Sequence, residues 1–437
     1  MDIASADELY NLLRRLFPIN RSITGDGVRE TLAILAETVD LKILTYPSGK
    51  QVYDWTIPDE WNISDAYIAN ESGERLVDFK RNGLHVVGYS MPVNRYMTFE
   101  ELKPHLHTLP DLPDAIPYRT SYYAEQWGFC LKHHDLGLFD YESKYHVVIQ
   151  SQRQPGELIM GEASLPGESS EELLISTYCC HPWMANDNLS GVVTAVFLYR
   201  YLASLPKRRF SYRFVWLPET IGAITYLAHH ETEMKSLFGG FVLSCCGGQG
   251  PIAYKETFLG NHVMDRAVRL AFRDSGIKPW ERPFAPDGSD ERQYSMPAFR
   301  IPVCTIAKDK YYDYDYYHTS LDDLDFVSGA NLKASFDLYI KSIDILEQNL
   351  IYKNTIPFCE AQLGRRGLYP QTGGSVNQPV SGEQTTIQEQ LDAITWLMFL
   401  ADGQTDLISI AERSKQPFDN LVAAIDRLST CELLELV

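Results

Sequence analysis

Leu174-Ile-Ser-Thr-Tyr-Cys-Cys-His181-Pro-Trp-Met-Ala-Asn-Asp187-Asn-Leu-Ser-Gly191 carries a mostly apolar run into a short polar turn that holds a histidine and an aspartate. The run Leu173 to Cys180 has strand length, and Gly191 to Leu202 spaces Val192, Ala195, Val196 and Tyr199 along one helical face. The turn between them is therefore expected at the carboxyl end of a buried strand, where open α/β sheets bind ligands. Two further stretches share the pattern: Phe214-Val-Trp-Leu-Pro-Glu219-Thr ends an apolar run in a carboxylate, and Tyr317-His318-Thr-Ser-Leu-Asp322 supplies a second histidine. Imidazole and carboxylate are zinc ligands, and catalytic zinc sites commonly keep three protein ligands beside an open position. His181, Asp187 and His318 are the expected zinc ligands.

Each group also has a plainer reading. His181 precedes a turn proline, Asn186-Asp-Asn-Leu-Ser reads as a helix N-cap segment, and Glu219 is placed to cap the helix after it. What favours ligation is that several strand ends deliver such groups together. The adjacent pairs His229-His230 and His133-His134 point in different directions within each pair and read as structural or exposed, and His105 and His107 are uninformative.

Asp7 to Phe17 and Val28 to Val39 read as amphipathic helices. From about Gln51 the texture changes to short apolar or alternating runs broken by Pro, Gly and Asn, so residues 53–140 are expected to form an inserted β-rich domain. The α/β domain is then discontinuous, over 1–52 and 141–355, with strands near 173–180, 211–217, 240–246 and 300–306. Residues 356–437 comprise the linker stretch Gln371-Thr-Gly-Gly-Ser-Val-Asn-Gln378 and a tail with the element order of a winged helix-turn-helix. From Glu389 to Val437 nine acidic residues oppose three basic ones, and the helix from Phe418 offers only Arg427 as a cation, so phosphates would be repelled. The tail is expected to mediate homo-oligomerisation or a protein contact, not DNA binding.

With 437 residues the chain is long enough for about three domains. Its 45% hydrophobic and 22% charged content is that of a soluble globular protein. Neither a signal-type start nor an apolar run of the roughly 20 residues needed to span a bilayer is seen, and a cytoplasmic location is expected. A net charge of −19 argues against nucleic-acid and anionic-membrane partners, which bind through lysine and arginine. The eight cysteines include the pairs Cys179-Cys180 and Cys245-Cys246 in apolar runs, where free cysteine behaves as a small hydrophobe, and they outline no disulfide framework.

Taken in order, His181, Asp187-Asn-Xaa-Ser-Gly, Glu219-Xaa-Ile-Gly, Gly288-Ser-Asp290 and Tyr317-His-Thr-Xaa-Xaa-Asp resemble the zinc-dependent aminopeptidase and glutamate carboxypeptidase superfamily. The opening Leu16-Phe-Pro-Ile-Asn-Arg-Ser-Ile-Thr-Gly-Asp-Gly-Val-Arg-Glu30 is similar to that of bacterial aminopeptidase-like proteins often encoded with polysaccharide-biosynthesis enzymes. The resemblance implies an aminopeptidase-like α/β/α sandwich with a mixed sheet, and an exopeptidase-like amide hydrolase with Glu219 as general base. Its substrate would be a small peptide or an acylated small molecule. A deacylase of an amino-sugar intermediate and a catalytically inactive binding protein are the alternatives.

The chain also departs from that pattern. Two-zinc members carry a second carboxylate directly after the base, where Thr220 stands, and an aspartate at the end of the next strand, where Ser244-Cys-Cys-Gly-Gly248 stands. A single zinc is therefore expected, with Cys245 or Cys246 as a lesser candidate ligand. In the polar loop Asp287-Gly-Ser-Asp290-Glu-Arg292, Arg292 either forks onto a substrate carboxylate or pairs with Asp290, Glu291 or Glu281. Asp290 and Tyr317, the latter ending the tyrosine-rich run from Tyr311, are the other candidate substrate-binding residues. Asp322 either orients the His318 ring or caps the helix that follows Asp325.

Overall fold

The computed structural model describes residues 4–310, 312–369 and 386–437, so the linker stretch Gln371–Gln378 and Tyr311 lie outside the described residues. The chain divides into two compact units, Met1–Gly260 with Pro279–Asp337 and Asn261–Lys278 with Leu338–Val437.

An eight-stranded mixed sheet organises the first unit, in the spatial order 42–47, 157–165, 211–217, 172–178, 239–242, 303–308, 252–255 and 280–282. Its four central strands, Ser211–Leu217, Glu172–Tyr178, Gly239–Val242 and Val303–Lys308, run parallel, so their carboxyl ends share one edge. Side-chain alternation splits the apolar residues between the two faces. Trp216 faces the helix Gly191–Ser204 and donates its indole N–H to Val192 O, whereas Val215 and Leu217 pack with Ile221, Ile224 and Leu227 on the opposite face. That helix was expected to be one-sided, yet Gly191 to Tyr199 are all buried. The sheet covers one side of it and the capped N-terminal helix Ala6–Leu16 packs on it as well. The third expected strand stops at Val242, because Cys245 takes a φ of 53° and turns the chain out of the ladder.

Within the same unit a second, antiparallel sheet orders the strands 75–78, 60–69, 144–154 and 93–98. Ala66, Ile68, Val77, Val147, Ile149 and Phe129 give it a core of its own. The β-rich segment was expected to close at 140, but its sheet takes in 144–154, whose alternating residues are paired on both edges by 60–69 and 93–98.

The second unit contains a three-stranded sheet, 402–406, 351–354 and 434–436 in spatial order, and the helices Ile387–Leu400, Leu407–Ser414 and Phe418–Thr430. Asp406 caps the second of these through Ser409 N, and Lys415 at a φ of 59° makes the turn into the third. The boundary expected between 355 and 356 falls inside this unit, which also takes in the helix Val263–Asp274, tied to Leu407–Ser414 by Arg266 and Glu412. Among the described residues no helix is long and apolar enough to cross a membrane.

Candidate metal centre

His181, Asp187 and Glu219 follow the carboxyl ends of two adjacent parallel strands, and His318 follows a third. One ligand atom from each of His181, Asp187 and His318 lies within 4.8 Å of the others. Asp187 Oδ2 is 2.9 Å from His318 Nε2 and 4.0 Å from His181 Nε2. Ligands about 2 Å from a zinc ion lie up to roughly 4 Å apart, so this spacing fits one ion. Asp187 Oδ2 and His318 Nε2 are both buried and neither makes a hydrogen bond, although they lie 2.9 Å apart. Orphaned polar atoms of this kind are costly in a folded interior, and a cation would satisfy both at once. Burial pushes the His181 imidazole down to about 4, which keeps it in the neutral, ligating form at neutral pH. Burial works to raise Asp187, but the imidazoles and the Tyr178 hydroxyl prevail and hold it at about 2.

Buried neighbours fix these groups in place. Tyr178 donates its phenol proton to Asp187 Oδ1, and Ser244 Oγ lies 2.8 Å from the phenol oxygen. Arg21, 1% exposed, donates Nε–H to the His181 carbonyl at 2.9 Å and Nη1–H to Leu16 O at 2.7 Å. Cys180 Sγ accepts the Glu219 N–H at 3.3 Å and lies 3.3 Å from His181 Nδ1, so one sulfur braces both the ring and the Glu219 backbone. Cys245 and Cys246 do not join the cluster: their pairing is with Ser244, through its hydroxyl and its carbonyl. The Asp322 carboxylate takes neither expected role, orienting the His318 ring or capping the helix that follows Asp325. It accepts the backbone N–H of Asn186 at 2.6 Å and of Asp187 at 2.9 Å, together with the Tyr314 hydroxyl at 3.1 Å, and so shapes the turn that presents Asp187.

Glu219 Oε2 lies 3.7 Å from His181 Nε2, with a quarter of its side chain exposed. Burial, reinforced by the charges of Asp290 and Asp187, holds its carboxyl well above the usual carboxylate range. Thr220, directly after it, sits at a φ of 61°, an unfavourable conformation for a β-branched residue. Asp290 Oδ1 accepts its N–H at 2.8 Å and secures that turn. Asp290 is itself fully buried, pushed up to about 7 by that burial, and the loop carrying it is pinned by the buried Lys255–Glu291 pair at 2.8 Å. Arg292 makes no ion pair with Asp290, Glu291 or Glu281 among the described residues; its Nε is buried without a partner and its Nη2 lies 3.4 Å from Thr220 Oγ1. Tyr317 stacks on the His318 ring at 3.9 Å between centroids. Sequence reading missed Tyr118, whose ring sits 5.2 Å from both imidazoles and whose N–H bonds the His318 carbonyl at 2.8 Å. It comes from the stretch expected to be a separate insert.

Residues 10–349 match the family described as Domain of unknown function (DUF4910), and residues 350–436 match a winged helix-turn-helix family. A Clostridium acetobutylicum protein, named provisionally for polysaccharide biosynthesis and an aminopeptidase-like domain, is 43% identical over 98% of this chain and 96% of its own. A crystal structure from Clostridium acetobutylicum, provisionally called a peptidase, superposes with a TM-score of 0.92 at 42% identity, covering 99% of this chain and 96% of that one. A zinc aminopeptidase from Bacillus subtilis shares the fold at a TM-score of 0.56 and 15% identity, over 78% of this chain and 94% of that one. The orphaned cluster thus lies within residues 10–349, the part of the chain that belongs to the DUF4910 family and has an aminopeptidase-like α/β fold, and a winged helix-turn-helix follows it.

Proposed function

We propose that the protein is a zinc-dependent, exopeptidase-like amide hydrolase. The observation that carries this reading is the convergence of His181, Asp187 and His318, two of them with unpartnered buried atoms, beside a carboxylate held in a raised range. These three residues would hold zinc, which when bound polarises a carbonyl and makes a water more acidic. Glu219 is the general base: it takes a proton from the attacking water and returns it to the leaving amine. Cys180 and Asp290 keep its backbone in place, Tyr118 packs against both imidazoles and Tyr317 stacks on His318. The direct test is turnover by the zinc-loaded full chain on short peptides with free and blocked ends. The relative's name for polysaccharide biosynthesis supports adding N-acyl amino sugars as a second substrate class. Hydrolysis of neither class would leave a binding protein on a hydrolase fold.

The substrate side is assigned to Arg292 and Tyr317; Asp290, expected there as well, is fully buried and holds the turn at Thr220 instead. An Arg292 guanidinium without an ion-pair partner suits a substrate carboxylate, and hydrogen bonds to charged groups are worth about 1.5–3 kcal/mol. Arg292→Gln should therefore raise KM for peptides with a free carboxylate by roughly 10–100-fold, with their carboxamides much less affected. Equal effects on acid and amide would take Arg292 out of recognition.

For the tail, an acidic winged helix is proposed as a protein-contact or homo-oligomerisation module. Arg427, the one cation of the helix Phe418–Thr430, is already engaged with Gln390 Oε1 at 2.8 Å. The full chain at micromolar concentration should leave duplex DNA unshifted at low salt. Salt-sensitive binding would overturn this assignment.

A further inference from the structure

We propose that Tyr178 limits the site to a single metal ion by occupying one oxygen of Asp187, an inference that rests on the metal reading above. A carboxylate that gives one oxygen to each of two ions must turn both oxygens toward metal, and those of Asp187 are not equivalent. Oδ1 accepts the Tyr178 phenol proton, while Oδ2 is the unpartnered atom facing the imidazoles. The phenol has one proton; spending it on Asp187 leaves its oxygen as the acceptor for the Ser244 hydroxyl at 2.8 Å. Tyr178 has nowhere to swing, being 2% exposed and packed in the cluster that holds Leu174, Cys180, Leu217 and Ile221. The surroundings disfavour a second cation as well. Ser244 and Thr220 offer hydroxyls, not carboxylates, and Thr220 Oγ1 lies 3.4 Å from the Arg292 guanidinium, whose charge would repel an incoming ion.

Tyr178 therefore acts as a positioning residue: it presents Asp187 through Oδ2 alone and fixes the angle of that oxygen. The test is titration of metal-free full chain with Zn²⁺ against a competing chelator, with bound metal counted by elemental analysis and geometry read from the visible spectrum of the Co²⁺ form. Wild type should take up one equivalent. Tyr178→Phe, with its fold checked by circular dichroism, should bind zinc about 10–100-fold more weakly and show an altered Co²⁺ spectrum. Ser244→Ala leaves the phenol on Asp187 and should change affinity less. Two tight equivalents in wild type would overturn the inference, as would wild-type affinity and spectrum in Tyr178→Phe, or a larger loss in Ser244→Ala than in Tyr178→Phe. If wild type binds no zinc, or a His181→Ala, His318→Ala double variant still binds it, the metal reading itself fails, and the inference with it.

Discussion

Glu219→Gln is expected to slow amide hydrolysis by about 10²–10⁴-fold while leaving bound metal unchanged. Glutamine keeps the shape of the side chain and removes the oxygen that accepts a proton. The change is clean here because the Glu219 position is set by its backbone, through the N–H bonded to Cys180 Sγ at 3.3 Å and the next residue's N–H on Asp290 at 2.8 Å. Neither bond involves the altered group. The carboxylate must be ionised to act, so kcat/KM of the zinc-loaded wild type should climb with pH through the Glu219 titration, which burial and two nearby acidic groups raise and a bound cation would lower. That acid limb should disappear in the variant. Unchanged turnover would remove Glu219 from the mechanism. Loss of metal together with activity would instead make it a ligand, which its 3.7 Å distance from His181 Nε2 makes a meaningful outcome to measure.

His181, Asp187 and Glu219 were legible in the sequence because each follows an apolar run, and a polar residue after a strand end is visible punctuation; His318 stood out at the end of a tyrosine-rich run. Tyr178 was not, since a tyrosine within a buried strand reads as core; only the alternation that puts Leu174, Ser176 and Tyr178 on one face hints at a polar seam. Arg21 escaped for a different reason. It reaches His181 across 160 residues, and no local pattern announces a contact of that span. Tyr118 is the same problem in another place: its strand-poor, proline-dense surroundings read as a loop of an insert, yet Pro117 bridges to Thr319 and brings the ring over both imidazoles. The alternatives left open for Asp322 gave way to backbone N–H groups of Asn186 and Asp187, which take its oxygens through bonds set by the shape of the turn and not by residue type.

His318→Ala should abolish tight zinc binding, the second large effect expected of this site. Of the three proposed ligands it is the most exposed, at 34% of its side chain, whereas His181 and Asp187 are almost fully buried. Its removal therefore disturbs the interior least while leaving only two ligands. The Asp187 oxygen it faces would then lie beside a single imidazole at 4.0 Å. Because an ion that binds only the folded state stabilises it, by about 4 kcal/mol at a thousandfold excess over its Kd, wild type should melt at a higher temperature as zinc is added. The variant should not. This readout needs no substrate, so it separates the metal site from the question of activity: a zinc-dependent rise in Tm that persists in His318→Ala would place the ion elsewhere. A rise that vanishes in His318→Ala but persists in Glu219→Gln would assign the first residue to the metal and the second to the proton.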